Sequence, residues 1–274
     1  GRIVKSEDRF IKIVEEKDSD EIQKRINEIN AGTYIIDGKL LKQELGNLST
    51  DNSQNEYYLT DVLENIAKNN NVATLAVDSE SILGVNSRIQ LAQAETVMRK
   101  RINEAHMRNG VTLINPDCTY IDKSVIIEKD CIIYPNCHIK GNTLIRSNTE
   151  IRENAVIENS VIGECVSVKS STIIDSQIGN GTTVGPYAYL RPGSRIGNNC
   201  KIGDFVEFKN ASFGDGSKAS HLSYIGDADV GSNVNIGCGV VFVNYDGKNK
   251  FRTVVKDNSF VGSNSNLVAP VTIE

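Results

Sequence analysis

A run of aliphatic residues spaced six apart leaves this chain few folds to choose from. Ile121, Ile127, Ile133, Ile139, Ile145, Ile151 and Ile157 keep the interval without a miss. After a one-residue slip it resumes at Ile162 and Val168, then runs through Ile178, Val184, Leu190, Ile196, Ile202 and Phe208 to Ala219 and Ile225. A second slip leads to Val230, Ile236 and Phe242, and the beat closes with Val255, Val261, Leu267 and Ile273. A period of six matches neither a helix nor an alternating strand, so it marks a structural repeat. Glycine follows several beats at once, as in Ile178-Gly179, Ile196-Gly197 and Val261-Gly262. Between beats stand Asn, Asp, Ser and Lys, the residues of solvated turns. Such a pattern predicts a parallel β-helix of hexapeptide repeats. Three hexads make a turn of about 18 residues, and about eight turns stacked at strand spacing give a prism roughly 40 Å tall.

The beat does not cover the whole chain. Composition shifts near residue 110 from helix-forming to Ile-, Val-, Gly- and Asn-rich, and 274 residues are enough for two domains. Residues 1–85 read as mixed α/β. Arg2 to Val4 and Phe10 to Val14 look like strands, as do Tyr34 to Ile36 and Val72 to Val77, and helices are expected over 19–27 and 56–68. Too few strands are present to close a doubly wound sheet, so this part reads as the back half of an α/β domain. Residues 86–110 form an expected linking helix with an apolar stripe of Leu91, Ala94, Met98, Ile102 and Ala105. Residues 111–274 are the repeat, still in rhythm at Glu274, so the chain reads as a piece of a longer protein lacking its end.

Bulk properties exclude several roles. A net charge of −5 argues against nucleic acid as a partner, so an anionic ligand needs a local basic pocket. No apolar run reaches the ~18 residues of a membrane span, and the opening Gly-Arg-Ile-Val-Lys is no signal peptide. The six cysteines contain no Cys-x-x-Cys and read as reduced core or corner residues of a cytoplasmic protein.

Function is expected where the beat breaks, because a coil that only stacks has no reason to skip. One break spans Phe213 to Gly226 and carries His221. The other inserts a polar loop between Phe242 and Val255, with Asn244, Tyr245, Lys248, Lys250 and Arg252 concentrating cations in an acidic chain. An imidazole that titrates near neutrality can take a proton from an amine, and clustered Lys and Arg suit a phosphate. His106 and His138 read as structural.

Several motifs at and around these breaks carry a resemblance: Leu190-Arg-Pro-Gly193, Val206-Glu-Phe-Lys209, Gly216-Ser-Lys-Ala-Ser-His-Leu-Ser-Tyr-Ile-Gly-Asp227, Val234-Asn-Ile-Gly237, Asn244-Tyr-Asp-Gly-Lys-Asn-Lys250 and Phe260-Val-Gly-Ser263. They resemble the acetyltransferase half of the bifunctional enzymes joining N-acetylglucosamine-1-phosphate uridyltransferase to glucosamine-1-phosphate N-acetyltransferase. Asn55-Glu-Tyr-Tyr-Leu-Thr-Asp61 and Gly84-Val-Asn86 extend the likeness into the first part. The resemblance implies a left-handed coil, a homotrimer and acetyl-CoA as co-substrate, in a fold that is mixed overall with a partial α/β nucleotidyltransferase domain in front. It makes His221 the general base. It assigns Arg191, Lys209, Tyr224, Asn235 and Lys250 to the sugar phosphate, and Cys238, Asn244, Tyr245 and Ser263 to acetyl-CoA. Gly1, Glu15, Asn30 and Asn86 match positions for UDP-N-acetylglucosamine, and Asn86 also matches a magnesium ligand; from its position Asn86 also suits a helix N-cap. Cys238 and Ser220 depart from the usual alanine and glycine. The nucleotide loop would lie upstream of Gly1, and the coils that complete the acetyl-CoA site beyond Glu274. Uridyl transfer is therefore not expected of this chain alone, and its acetyl transfer is expected to be weak or absent. Two rival readings are a purely structural trimerisation module and a hydratase of the carbonic-anhydrase kind, which needs three gathered histidines.

Overall fold

In the computed structural model, which describes residues 1–274, the beat residues form three nine-stranded parallel sheets wound by one chain. Strands of two to four residues alternate among the sheets, and each pairs with the strand one coil away. Nine strands per sheet make nine turns, one more than the spacing predicts; the extra one begins at Thr112–Leu113, before the first regular hexad.

Register explains the period. Ile133 stands opposite Ile151, Ile139 opposite Ile157, and Ile162 opposite Ile178, so like stacks on like along the axis. Every beat residue named above is buried or packed against the core. Ile173, off the hexad count, is buried as well; it sits between Val168 and Ile178 in two five-residue steps. Each buried Val or Ile contributes about 1.5–3 kcal/mol of transfer free energy, so stability accumulates coil by coil.

Corners have their own logic. Turning within one residue requires left-handed backbone, and asparagine tolerates it better than most residues. Asn136, Asn154, Asn199, Asn233 and Asn264 all have positive φ. Buried hydroxyls complete the corners: the Thr149, Thr182 and Ser217 side chains accept hydrogen bonds from the amides of Val166, Cys200 and Val234 one coil on. Among the cysteines, all free, Cys131, Cys137 and Cys200 are core residues. Burial pushes their thiols up, that of Cys137 to about 11.

The chain divides into two compact units, Gly1–Asn86 and Ser87–Glu274. In the second, helix α1 (Arg88–Arg108) starts at Ser87, whose hydroxyl accepts from the Gln90 amide. Ser87, not Asn86, is therefore the N-cap. Only the far end of α1 engages the coil: Asn103 donates to the carbonyls of Pro116 and Thr119, and Ile102 packs on the core. Leu91 and Met98, expected on its buried stripe, are exposed.

The first unit pairs strands Arg2–Ser6 and Arg9–Val14 into a hairpin covered by helix Thr60–Ala67, through Phe10, Ile13, Leu63 and Ala67. The predicted strands at 34–36 and 72–77 are not strands, because no neighbouring chain offers them a pairing edge; Ile35 and Leu75 face solvent. The predicted helix over 19–27 is reduced to a short turn at Gln23–Arg25. Asp20 captures the amides of Ile22 and Gln23, and this local bond competes with the helix.

One prediction tests the stacking. Phe208 is fully buried and meets Phe213 edge-on at 5.1 Å. Phe208→Ala should cost about 3–5 kcal/mol, read as a lowered urea midpoint of the coiled unit.

Candidate active site

The break around His221 begins with two strands that overrun their corner. Lys201–Asp204 and Lys218–His221 are four residues long where most in that sheet have two, and the pairing carries through to Asp204 opposite His221. Gly203 permits this close approach, since a Cβ there would collide with the Ser220 carbonyl. His221 is 57% exposed and its Nδ1 lies 2.6 Å from Asp204 Oδ1. That hydrogen bond, above all, holds the Asp204 carboxyl below the usual carboxylate range. Leu222 turns the corner with φ 48°, and Tyr224–Gly226 begins the next sheet.

Along that next face, 17 residues separate the stacked positions of Asn244 and Asp227, and Asp227 organises the far corner. This nearly buried carboxylate accepts hydrogen bonds from Asn244 Nδ2 and, at 2.7 Å, from Asn210 Nδ2; Lys209 Nζ is 3.4 Å away. Burial alone would push Asp227 up, but Asn210, Asn244 and Lys209 together hold it below the usual range. The Tyr224 hydroxyl is 3.5 Å from Asn244 Nδ2. Asn244 thus lies between the tyrosine and the carboxylate.

The inserted loop is pinned at both ends. Asn244 fixes its start on Asp227, and Arg252 fixes its return on Asp229 at 2.6 Å and on the Ala228 carbonyl at 2.9 Å. Arg252 is therefore an anchor and not part of a free cation cluster. At the tip, the Asp246 side chain accepts from the amides of Lys248 and Asn249, and Tyr245 bridges to Lys250. Lys250 is thereby brought to Lys209. The hydrogen bond and then the charge of Lys209 hold Lys250 below the ordinary lysine value, and Arg191 adds to the effect. Lys209, sharing that hydrogen bond and paired with Asp227, is held above its own. Arg191 also pairs with Glu207 at 2.9 Å. Ammonium groups this close repel, and an anion among them relieves the repulsion.

The sequence-predicted residues thus gather unequally. His221 ends one strand and Tyr224 starts the next, and that three-residue strand lies between the imidazole and the Lys209–Lys250 corner. Both breaks lie on one flank. In register, the position one coil above His221 is Cys238, and Ser263 lies above that. Asn235 stacks on Lys218 in the same sheet. His138 is stacked on Tyr120 at 4.6 Å and His106 lies in α1, so the three histidines do not gather. In the first unit, the Gly1 nitrogen is 3.4 Å from Glu15, and the Asn30 amide donates to the Gly1 carbonyl at 3.0 Å. Asn86 ends that unit, exposed. Magnesium takes several oxygen ligands, but no group of three or more His, Cys, Asp or Glu gathers in the chain. With one amide oxygen at Asn86, the residues present do not make a magnesium site, and no step is derived through the ion. No helix is long and apolar enough to cross a membrane.

Asp204 and Asp229 escaped the sequence reading, and Asp227 closed a quoted motif without being given a role. The signal for Asp204 was one of distance: it precedes His221 by one coil, 17 residues.

The chain is similar to known proteins over its repeat and over its whole length. Residues 124–159 and 175–210 match the model of the bacterial transferase hexapeptide (six repeats). A protein of Clostridioides difficile strain 630 named "Bifunctional protein GlmU" is 57% identical over the whole chain, which covers 60% of that relative. One of the same name from Alkaliphilus oremlandii is 58% identical, again over the whole chain and 61% of the relative. The chain thus spans about 60% of the length of the curated relatives it matches. Among solved structures, a UDP-N-acetylglucosamine acyltransferase of Francisella novicida aligns with 55% of this chain and 62% of its own, at 19% identity and a TM-score of 0.29.

Asp227 gives a pH prediction. Its folded-state proton affinity is lowered, so its contribution to stability is full above the unfolded carboxylate pKa and is lost as pH falls through the lower folded value. Asp227→Ala should cost about 1–3 kcal/mol at neutral pH. Urea midpoints of variant and parent should converge as the medium is made acidic enough to protonate Asp227.

Proposed function

We propose that this chain is part of a protein of the bifunctional GlmU kind, to which it is similar over its whole length, and that its coiled unit serves acetyl transfer from acetyl-CoA to the amine of glucosamine 1-phosphate. The observation that carries this reading is an imidazole oriented by Asp204 at one end of strand Tyr224–Gly226 and a cation cluster at its other end, where Lys209 pairs with Gly226. Lys250, Lys209 and Arg191 hold the phosphate, and Tyr224 and Asn235 contact the sugar. Cys238 and Ser263, stacked over His221, face the acetyl donor together with Asn244 and Tyr245.

Glucosamine's amine is protonated near neutrality, and only the free amine attacks a thioester. His221 accepts a proton from the amine as its nitrogen adds to the thioester carbon. Backbone amides beside the inserted loop stabilise the oxyanion. The carbon–sulfur bond then breaks, and the proton passes to the departing coenzyme A thiolate. Neither an acyl-enzyme nor a metal enters this sequence.

Residues 1–85 are read as the closing part of a uridyltransferase domain, in which Gly1, Glu15, Asn30 and Asn86 hold UDP-N-acetylglucosamine, with residues 86–110 as the link. The assembly is read as a cytoplasmic homotrimer. One feature supports the trimer: Tyr187, Phe205 and Leu222 occupy left-handed corners in successive coils and are 62%, 57% and 57% exposed. Bulky residues at such backbone angles are costly, and burial against a neighbouring copy would offset that cost.

Two substitutions test the assignment. In the protein extended to the full length of its relatives, His221→Ala should lower kcat for coenzyme A release by about 10²–10⁴-fold with little change in KM. Lys250→Ala should instead weaken glucosamine 1-phosphate binding by about 10- to 100-fold, the worth of one charged hydrogen bond. Normal turnover by His221→Ala would remove the base from this account.

A further inference from the structure

The Asp204 carboxylate goes beyond that assignment. We infer that Asp204 is a positioning residue, which holds His221 in the tautomer with Nδ1 protonated and leaves Nε2 to take the substrate's proton. The inference deepens the acetyl-transfer reading and rests on it for its kinetic part.

The argument starts from backbone register. Asp204 and His221 are paired residues of adjacent parallel strands, and each precedes a left-handed corner, Phe205 at φ 55° and Leu222 at φ 48°. Their Cα–Cβ bonds therefore leave the coil in the same direction, one strand spacing of about 4.8 Å apart. That spacing brings carboxylate and ring together at 2.6 Å. An ionised carboxylate only accepts hydrogen bonds, so Nδ1 must be the donor. The hydrogen bond from His221 lowers the proton affinity of Asp204, which agrees with an ionised acceptor.

Two consequences follow. A neutral imidazole carries one proton, so with Nδ1 occupied, Nε2 holds the free lone pair. The two ring nitrogens point in nearly opposite directions. With Nδ1 turned toward the coil of Asp204, Nε2 faces the next coil, which carries Cys238 in register with His221. The amine and the thioester are thus received on the Cys238 and Ser263 side. When the ring takes the amine's proton it becomes a cation, and the adjacent carboxylate stabilises it without itself being protonated. The carboxylate in serine-protease triads acts in this way.

Selective ¹⁵N labelling of histidine tests this without turnover. Long-range proton–nitrogen correlations distinguish the two neutral tautomers, and loss of a signal in His221→Ala identifies His221 among the three histidines. The protein should show His221 with Nδ1 protonated, Asp204→Ala should shift it toward the Nε2-protonated form, and Asp204→Glu should restore the original pattern. In kinetics, Asp204→Ala should lower kcat about 10- to 100-fold with KM for glucosamine 1-phosphate within about twofold. In a His221→Ala background it should have no further effect. An Nε2-protonated ring in the unaltered protein, or an additive loss in the double variant, overturns the inference. If no form of the protein releases coenzyme A, the acetyl-transfer reading fails, while the spectra still decide whether Asp204 orients the ring.

Discussion

Parallel strands stacked in exact superposition are the constraint on which the rest of this molecule depends. A backbone hydrogen-bond ladder fixes each coil to the next at one spacing, and a side chain on one coil is placed by its counterpart below. Ile139 under Ile157 and Asp204 under His221 obey the same rule. In the interior the rule makes a column of aliphatic contacts. At an exposed corner it makes a column of functional groups, brought within hydrogen-bonding distance by backbone geometry more than by side-chain packing.

That geometry divides the work between two kinds of residue. Hydroxyls, asparagines and glycines keep the corners tight, and charged groups then occupy them in pairs. Asp227 shows how far pairing is carried. It is nearly buried, yet it is satisfied by Asn210, Asn244 and Lys209, and in accepting from them it holds the loop's first residue and one of the cluster's cations together. Asp229 does the same at the loop's other end through Arg252. The cations left for an anionic ligand are those whose carboxylate partners do not fully occupy them, above all Lys250.

Much of this was legible in the sequence because the period is short and each rung declares itself. The six-residue beat gave the coil and its inward face, including rungs as unlike as Ala219 and Phe208. Both breaks were visible as failures of the beat. Less legible was anything that depends on the coil's exact length. Ile173 hid in a pair of five-residue steps, and the carboxylates Asp204 and Asp227 became relevant only when a separation of one turn, 17 residues, was counted from His221 and Asn244. The first unit was read least well. Tyr34 to Ile36 and Val72 to Val77 have strand-like composition, but a strand also needs an edge to pair with, and local composition does not supply one. Asp20 similarly outcompeted a weak helix by bonding its own neighbours.

The inserted loop leaves its coil undisturbed. Stacked positions separated by 17 residues elsewhere on this coil are separated by 25 across the loop, yet Ala228 pairs with Thr253 and Val230 with Val255 in unbroken register. The excursion is tied to the shaft at its two ends, by Asn244 on Asp227 and Arg252 on Asp229, and its tip between them bears none of the stacking. Its length and chemistry are free to vary from one descendant of this architecture to another, so new acceptor preferences can arise without rebuilding the scaffold.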